Sequence, residues 1–119
     1  MLFVTLSLPS CSDPAAPRPP EGRLTSAEAK ARGRGLFLEH CDLCHGEQAD
    51  GRGVRRHALS GPAANFTSAT WRRGTSPEEI YRTTHEGVQG TSMPSWRMLG
   101  DDEIWDLVAY VWSVGAERR

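Results

Sequence analysis

Cys41-Asp42-Leu43-Cys44-His45, followed by Gly46, is the stretch that decides how the rest of the chain is read. Two cysteines three positions apart, with a histidine directly after the second, form the attachment signature of a c-type haem. The chemistry demands that spacing. Each thiol adds across one vinyl group of the porphyrin, so both sulfurs must reach neighbouring edges of one flat ring. The next residue then swings its imidazole beneath the iron as the proximal ligand. Other uses of these residues fit less well. A zinc site needs two further ligands at matching spacing, and the sequence has no second Cys pair or Cys/His pair. A thioredoxin-like redox pair belongs in a βαβ pattern, which the chain lacks.

Immediately upstream, Thr25-Ser26-Ala27-Glu28 has the form of a capping box and predicts a helix start. The helix then runs through Ala27, Ala29, Ala31 and Leu36 towards the cysteines. Gly33 inside it lowers helix stability and calls for a packing reason, and Phe37, four residues on, shares its face. At the far end, Asp101-Asp102-Glu103 opens a second helix with acids at its positive end. Ile104, Leu107, Val108 and Val111 form its apolar stripe, Trp105 and Trp112 flank that stripe, and Gly115 is the expected stop.

With these pieces in place the chain, from about Thr25 onward, resembles the class I c-type cytochromes. These are small all-α proteins whose N- and C-terminal helices cross around one covalently bound haem. In that family a glycine and an aromatic residue ahead of the haem cysteines meet a Leu and a Tyr of the last helix. Here those places fall on Gly33, Phe37, Leu107 and Tyr110. The resemblance also implies a sixth iron ligand from a loop reading Gly-Thr-x-Met or x-Met-Pro. Both patterns occur in Gly90-Thr91-Ser92-Met93-Pro94, which makes Met93 the expected ligand. A thioether is soft and neutral, favours ferrous iron, and so raises the potential relative to two imidazoles. Thr91 is expected to hydrogen-bond a propionate, while Gly87 and Gly90 let the backbone follow the porphyrin edge and Pro94 stiffens the loop. Met98, the rival thioether, is expected in the core ahead of the last helix.

The middle of the chain carries weaker signals. Ser76-Pro77-Glu78-Glu79 is a helix start, with Ile80, Tyr81 and Thr84 facing inward before Gly87. In the family a proline carbonyl accepts the other ring N–H of the proximal histidine, and Pro62 in the loop Gly61–Phe66 is the candidate. Trp71 and Arg72 resemble residues near the propionates, where a guanidinium and an indole offset buried charge. His40 beside Cys41 is expected to face out, and His57 and His85 are read as surface or hydrogen-bonded residues. Arg52, Arg55 and Arg56 follow the haem motif closely. They form either a solvated loop or a docking rim that steers an acidic redox partner.

The first 11 residues read as an export segment. Met1–Leu8 is apolar and too short to span a bilayer, and Leu8-Pro9-Ser10-Cys11 resembles a bacterial lipoprotein cleavage box. Lipidation would give Cys11, the cysteine left over from the haem pair, a role, and a plain signal peptide is the alternative. Residues 12–24 are Pro-rich and poor in apolar side chains, an extended tether reaching roughly 35–40 Å at ~3.1 Å per residue. Residues 25–119 then make the cytochrome domain.

The 119 residues amount to about one domain. A net charge of −1 gives no basic balance for a nucleic-acid partner. Twelve Gly and eight Pro imply much loop, as close wrapping of a flat cofactor requires. The expected protein is a one-electron carrier, not an enzyme. It has a single haem c ligated by His45 and Met93, lies in the bacterial periplasm or on the outer face of the cytoplasmic membrane, and serves a respiratory or photosynthetic chain. Its partners would be membrane oxidase, reductase or dehydrogenase complexes. Alternatives are a relay subunit fixed in a larger oxidoreductase and, less in keeping with a sixth ligand, a gas-binding sensor. A bacterial di-haem peroxidase would need a second attachment motif, which the sequence does not contain.

Overall fold

The computed structural model describes residues 17–117, so Cys11, its apolar leader and the first part of the Pro-rich segment lie outside the described residues. The described residues contain helices and loops and no strand. The helices are α1 (Ala27–His40), α2 (Asp42–His45), α3 (Ala69–Arg73), α4 (Pro77–Glu86) and α5 (Asp101–Glu117). Tight 3-10 turns occur at Arg23–Thr25, Arg56–Ala58 and Arg97–Leu99. Among the described residues, no helix is long and apolar enough to cross a membrane.

Helix α1 starts one residue later than the capping box suggests. Residues Arg23–Thr25 coil into a 3-10 turn, and the Thr25 hydroxyl donates back to the Gly22 carbonyl at 3.3 Å. Ser26 takes over as cap, its Oγ accepting the Ala29 N–H at 3.1 Å. Helix α4 begins as its sequence predicts. Ser76 accepts the Glu79 N–H, Pro77 occupies the first turn, and Ile80 and Tyr81 are buried.

The architecture turns on the crossing of α1 and α5. A Cβ added at Gly33 would lie 1.9 Å from the Asp106 carbonyl oxygen and 2.9 Å from Tyr110 Cβ. No larger residue fits there, which is the packing reason that the helix-weakening glycine called for. One turn on, Phe37 meets Tyr110 edge-on with centroids 5.2 Å apart. Ile104, Leu107, Val108 and Val111 form the buried stripe of α5, and Trp105 is buried with them. Tyr81 of α4 stacks on Trp105 at 4.5 Å and donates its hydroxyl to Asp101, which fixes α4 against α5. Gly115 does not end α5. It is buried inside the helix, close to the Phe66 carbonyl and the Arg72 side chain.

Two polar side chains of α5, Asp106 and Ser113, are buried, and Asp106 carries the charge. Asp106 accepts the Arg32 Nε–H at 2.9 Å and Arg23 at 3.3 Å, and Arg23 also bonds Asp102 at 3.1 Å. Arg23 and Leu24, assigned by sequence to the tether, are thus part of the folded body. Leu24 packs on the core cluster.

Candidate functional site

The Cys-Asp-Leu-Cys-His motif sits where the chain leaves α1. The Cys41 N–H donates to the Phe37 carbonyl at 2.8 Å, closing α1, and the His45 N–H donates to the Cys41 carbonyl at 2.9 Å, making α2. The following loop folds back onto the motif. Gly51, Gly53 and Arg55 donate their N–H groups to the carbonyls of His45, Cys44 and Leu43 at 2.7, 3.2 and 2.9 Å. The motif backbone is therefore satisfied and rigid. Burial pushes the Cys41 thiol up to about 12, with Asp42 and Cys44 adding to the effect. A thiol held protonated in this way is a poor redox nucleophile.

His45 is held on three sides. Its ring stacks on Phe66 with centroids 4.6 Å apart, approaches Phe37 at 6.3 Å, and places Nδ1 3.2 Å from the Ala64 carbonyl oxygen. A carbonyl only accepts, so Nδ1 carries the hydrogen and Nε2 keeps its lone pair for a metal. Burial lowers the imidazole pKa, outweighing the opposite pull of Ala64, and so favours the neutral ligating form. The accepting carbonyl belongs to Ala64, not to Pro62 as expected. The Phe66 N–H donates to the Ala49 carbonyl at 2.9 Å, which draws residues 64–66 against the imidazole, whereas Pro62 is exposed.

The Met93 loop is equally constrained. The Val88 N–H donates to the Met93 carbonyl at 3.1 Å. At Gly87, with φ +71°, an added Cβ would lie 2.7 Å from the Ser95 nitrogen and 2.9 Å from the Met93 carbonyl oxygen. Only glycine permits both that dihedral and that approach. Gly87 therefore serves the close approach of the loop's own backbone.

Thr91 braces the same loop. Its hydroxyl donates to the Val88 carbonyl at 2.8 Å and accepts the Met93 N–H at 3.2 Å. The segment 60–66 connects the two ligand candidates. Ala64 holds His45 at one end, while Ser60 at the other exchanges hydrogen bonds with Ser92, beside Met93, at 3.0 and 2.8 Å.

Other expectations shift as well. The Arg72 guanidinium lies 3.7 Å over the Trp112 ring and donates to the Trp112 carbonyl, contacts that the sequence did not suggest. Trp71 packs edge-on against Phe66 at 4.8 Å, behind the imidazole stack. Met98 is 79% exposed, which removes it from the core. It lies on the Arg97–Leu99 turn, whose neighbour Leu99 packs inward instead. His40 does not face out but meets the Trp96 ring at 5.0 Å. His85 stacks on Tyr81 and lies 2.7 Å from Glu86, and His57 is exposed on the Arg56–Ala58 turn.

Sequence reading missed Ala64, Phe66, Trp96 and the Ser60–Ser92 pair. Of these only Phe66, an aromatic residue in a Gly/Pro-rich loop, carried a signal that could have been followed. The site thus offers paired thiols at the end of α1 and a neutral imidazole with a free lone pair, donors that fit covalent haem.

Comparison with known proteins agrees. Residues 28–111 match the family model described as cytochrome C oxidase, cbb3-type, subunit III. The chain is 31% identical over 94 residues to the cbb3-type cytochrome c oxidase subunit CcoP of Azospirillum brasilense, covering 78% of this chain and 31% of that protein. It is 33% identical over 88 residues to the FixP subunit of Rhizobium meliloti (strain 1021), covering 71% and 27%. The chain thus spans about three tenths of the length of these curated relatives. Among solved structures, a chain of the Kuenenia stuttgartiensis reducing HAO-like protein complex Kustc0457/Kustc0458 superposes with a TM-score of 0.66 at 30% identity, covering 83% of this chain and 46% of that one. The KustC0563 c-type cytochrome does so at 0.59 and 32% identity, covering 69% and 95%. With the helix crossing, the motif and the held imidazole in agreement, the chain belongs to the cbb3-type subunit III family of c-type cytochrome domains, whose cofactor is covalently bound haem c.

Proposed function

We propose that this domain is a one-electron carrier with His45 and Met93 as its axial ligands, working outside the cytoplasm against a membrane-bound respiratory complex. When bound, the haem supplies one-electron cycling of iron between Fe(III) and Fe(II). The protein's part is to keep both ligands in place through that cycle, so that little reorganises. The observation that carries the reading is His45, with Nδ1 fixed on Ala64 and its ring stacked on Phe66, leaving Nε2 as a preset donor. Cys41 and Cys44 attach the group, and Met93 comes from a loop that is itself bonded to the segment holding His45.

The exposed rim supports docking. Leu43 within the motif and Val54 in the loop folded back on it are exposed apolar residues, and Arg52, Arg55 and Arg56 of that loop are exposed too. An apolar centre with a basic rim suits an acidic redox partner. Cys11 is the proposed lipid attachment point and the Pro-rich segment the tether.

A second reading, an internal relay fixed in a larger oxidoreductase, draws support from the CcoP and FixP relatives. They are oxidase subunits, and this chain matches only part of their length. Co-purification with a membrane complex separates relay from shuttle. The deciding experiment is an optical spectrum of the exported, haem-loaded protein with carbon monoxide added to the reduced form. A low-spin spectrum indifferent to carbon monoxide, with a weak far-red ferric band lost in Met93→Ala, supports the carrier. A high-spin, carbon-monoxide-binding iron overturns it in favour of a sensor or enzyme.

A further inference from the structure

The stretch after Met93 is fastened to the C-terminal end of α4 with unusual completeness. Ser95 Oγ donates to the His85 carbonyl at 2.6 Å and the Trp96 N–H donates to the Thr84 carbonyl at 2.8 Å. Both carbonyls belong to the last turn of α4, where no intrahelical donor remains, so the loop caps the helix. Ser95 Oγ also accepts the Arg97 Nε–H at 3.2 Å and the Arg97 backbone N–H at 3.4 Å. Arg97 in turn donates to Glu86 Oε2 at 2.8 Å, and Glu86 Oε1 lies 2.7 Å from His85 Nδ1. His85 stacks on Tyr81 at 5.7 Å, which stacks on the buried Trp105 of α5. A continuous chain of contacts therefore runs from the core through α4 to a serine two residues from Met93.

We propose that Ser95, with Arg97 and Glu86 behind it, is a latch that positions the Met93 sulfur; the inference rests on Met93 being the sixth ligand. A thioether is a weak, uncharged donor, so its retention depends on how firmly the backbone presents it. On the amino-terminal side of Met93 the loop is held by Val88 and Ser60. On the carboxy-terminal side it is held by Ser95. Ser95, Arg97 and Glu86 are positioning residues and do not themselves touch the iron.

The test times the loss of the far-red thioether–iron band when excess imidazole is added to ferric, haem-loaded protein, with the reduction potential measured alongside. If wild-type protein has no such band, or Met93→Ala leaves it unchanged, the ligand assignment falls and the latch with it. With the band present, Ser95→Ala is expected to speed displacement about tenfold, one hydrogen bond's worth, and to lower the potential. Ser95→Thr should restore both. Glu86→Gln and Arg97→Gln, at exposed positions, should speed it about two- to threefold, and they decide the matter if Ser95→Ala does not take up haem. Wild-type displacement rates and potentials in these variants, with the band intact, would overturn the latch and leave the ligand standing.

Discussion

The ring of His45 is fixed by Ala64, whose carbonyl oxygen lies 3.2 Å from Nδ1, and two residues later Phe66 stacks on the same imidazole at 4.6 Å. One short segment thus sets both the tautomer and the orientation of the proximal ligand. Phe66→Ala is expected to destabilise the haem-loaded protein by about 3–5 kcal/mol, through the cavity left behind and the freed imidazole. Urea denaturation followed by far-UV circular dichroism measures this, and Phe66→Leu should recover more than half of the loss.

At the helix crossing, Gly33→Ala would drive a methyl group into the Asp106 carbonyl, 1.9 Å from where its Cβ must sit. Helix propensity favours the alanine by about 1 kcal/mol, but overpacking against backbone exceeds that gain. The expected result is a net loss of at least ~2 kcal/mol and a poor yield of haem-loaded protein. A variant as stable as wild type would show that α1 and α5 do not cross at this distance.

The two arginines on Asp106 should behave differently from their carboxylate. Asp106 is buried, with 8% of its side chain exposed, so Asp106→Ala strands charge and is expected to cost about 3 kcal/mol. Arg32 is 58% exposed, and Arg32→Ala should cost about 1 kcal/mol or less, with marked salt dependence. Thermal unfolding at low and high salt distinguishes the two.

Tyr81 gives a pH dependence. Burial, aided by the hydrogen bond to Asp101, raises its hydroxyl to about 12. The ordinary value is near 10, so between these pH values the folded state keeps a proton that the unfolded chain releases. Stability should therefore be fully present below pH ~10 and fall as pH rises towards 12, by at most about 1.4 kcal/mol per unit. Tyr81→Phe should flatten that slope. Urea midpoints from pH 8 to 11.5 provide the check.

Charge reversal at Arg55 and Arg56 tests the docking rim. The double change to glutamate is expected to slow reduction by an acidic partner about tenfold at low salt and to reverse the sign of the salt dependence. The optical spectrum should not change, because neither side chain reaches the ligands. Unchanged rates and salt dependence would return this loop to ordinary solvated surface.

Much of the fold was legible because local sequence carried it. The Cys41–His45 spacing, the Ser76-Pro77 start and the α5 stripe each express one local rule, and Gly33 announced a close approach through its own helix penalty. The partners of the site were less legible, because they depend on where loops fall in space. Pro62 looked like the acceptor for His45, yet any backbone carbonyl can serve, and the Phe66–Ala49 hydrogen bond brings Ala64 there instead. The stacking of Arg72 on Trp112, forty positions away, likewise has no local trace. Met98 read as core from its place in the apolar approach to α5, but it lies on a 3-10 turn and is exposed.

The clasp of Arg23 on Asp102 and Asp106 has a mechanical meaning. Tension along the chain ahead of Arg23 enters the domain on α5, the helix that also crosses α1, and not at the first turn of α1. A pull is therefore shared across the most tightly packed junction in the molecule, and α1 is not peeled from its end. The turn ahead of the clasp is itself closed, with Gly22 at a φ of +73° and the Arg23 N–H donating to the Pro20 carbonyl at 3.0 Å.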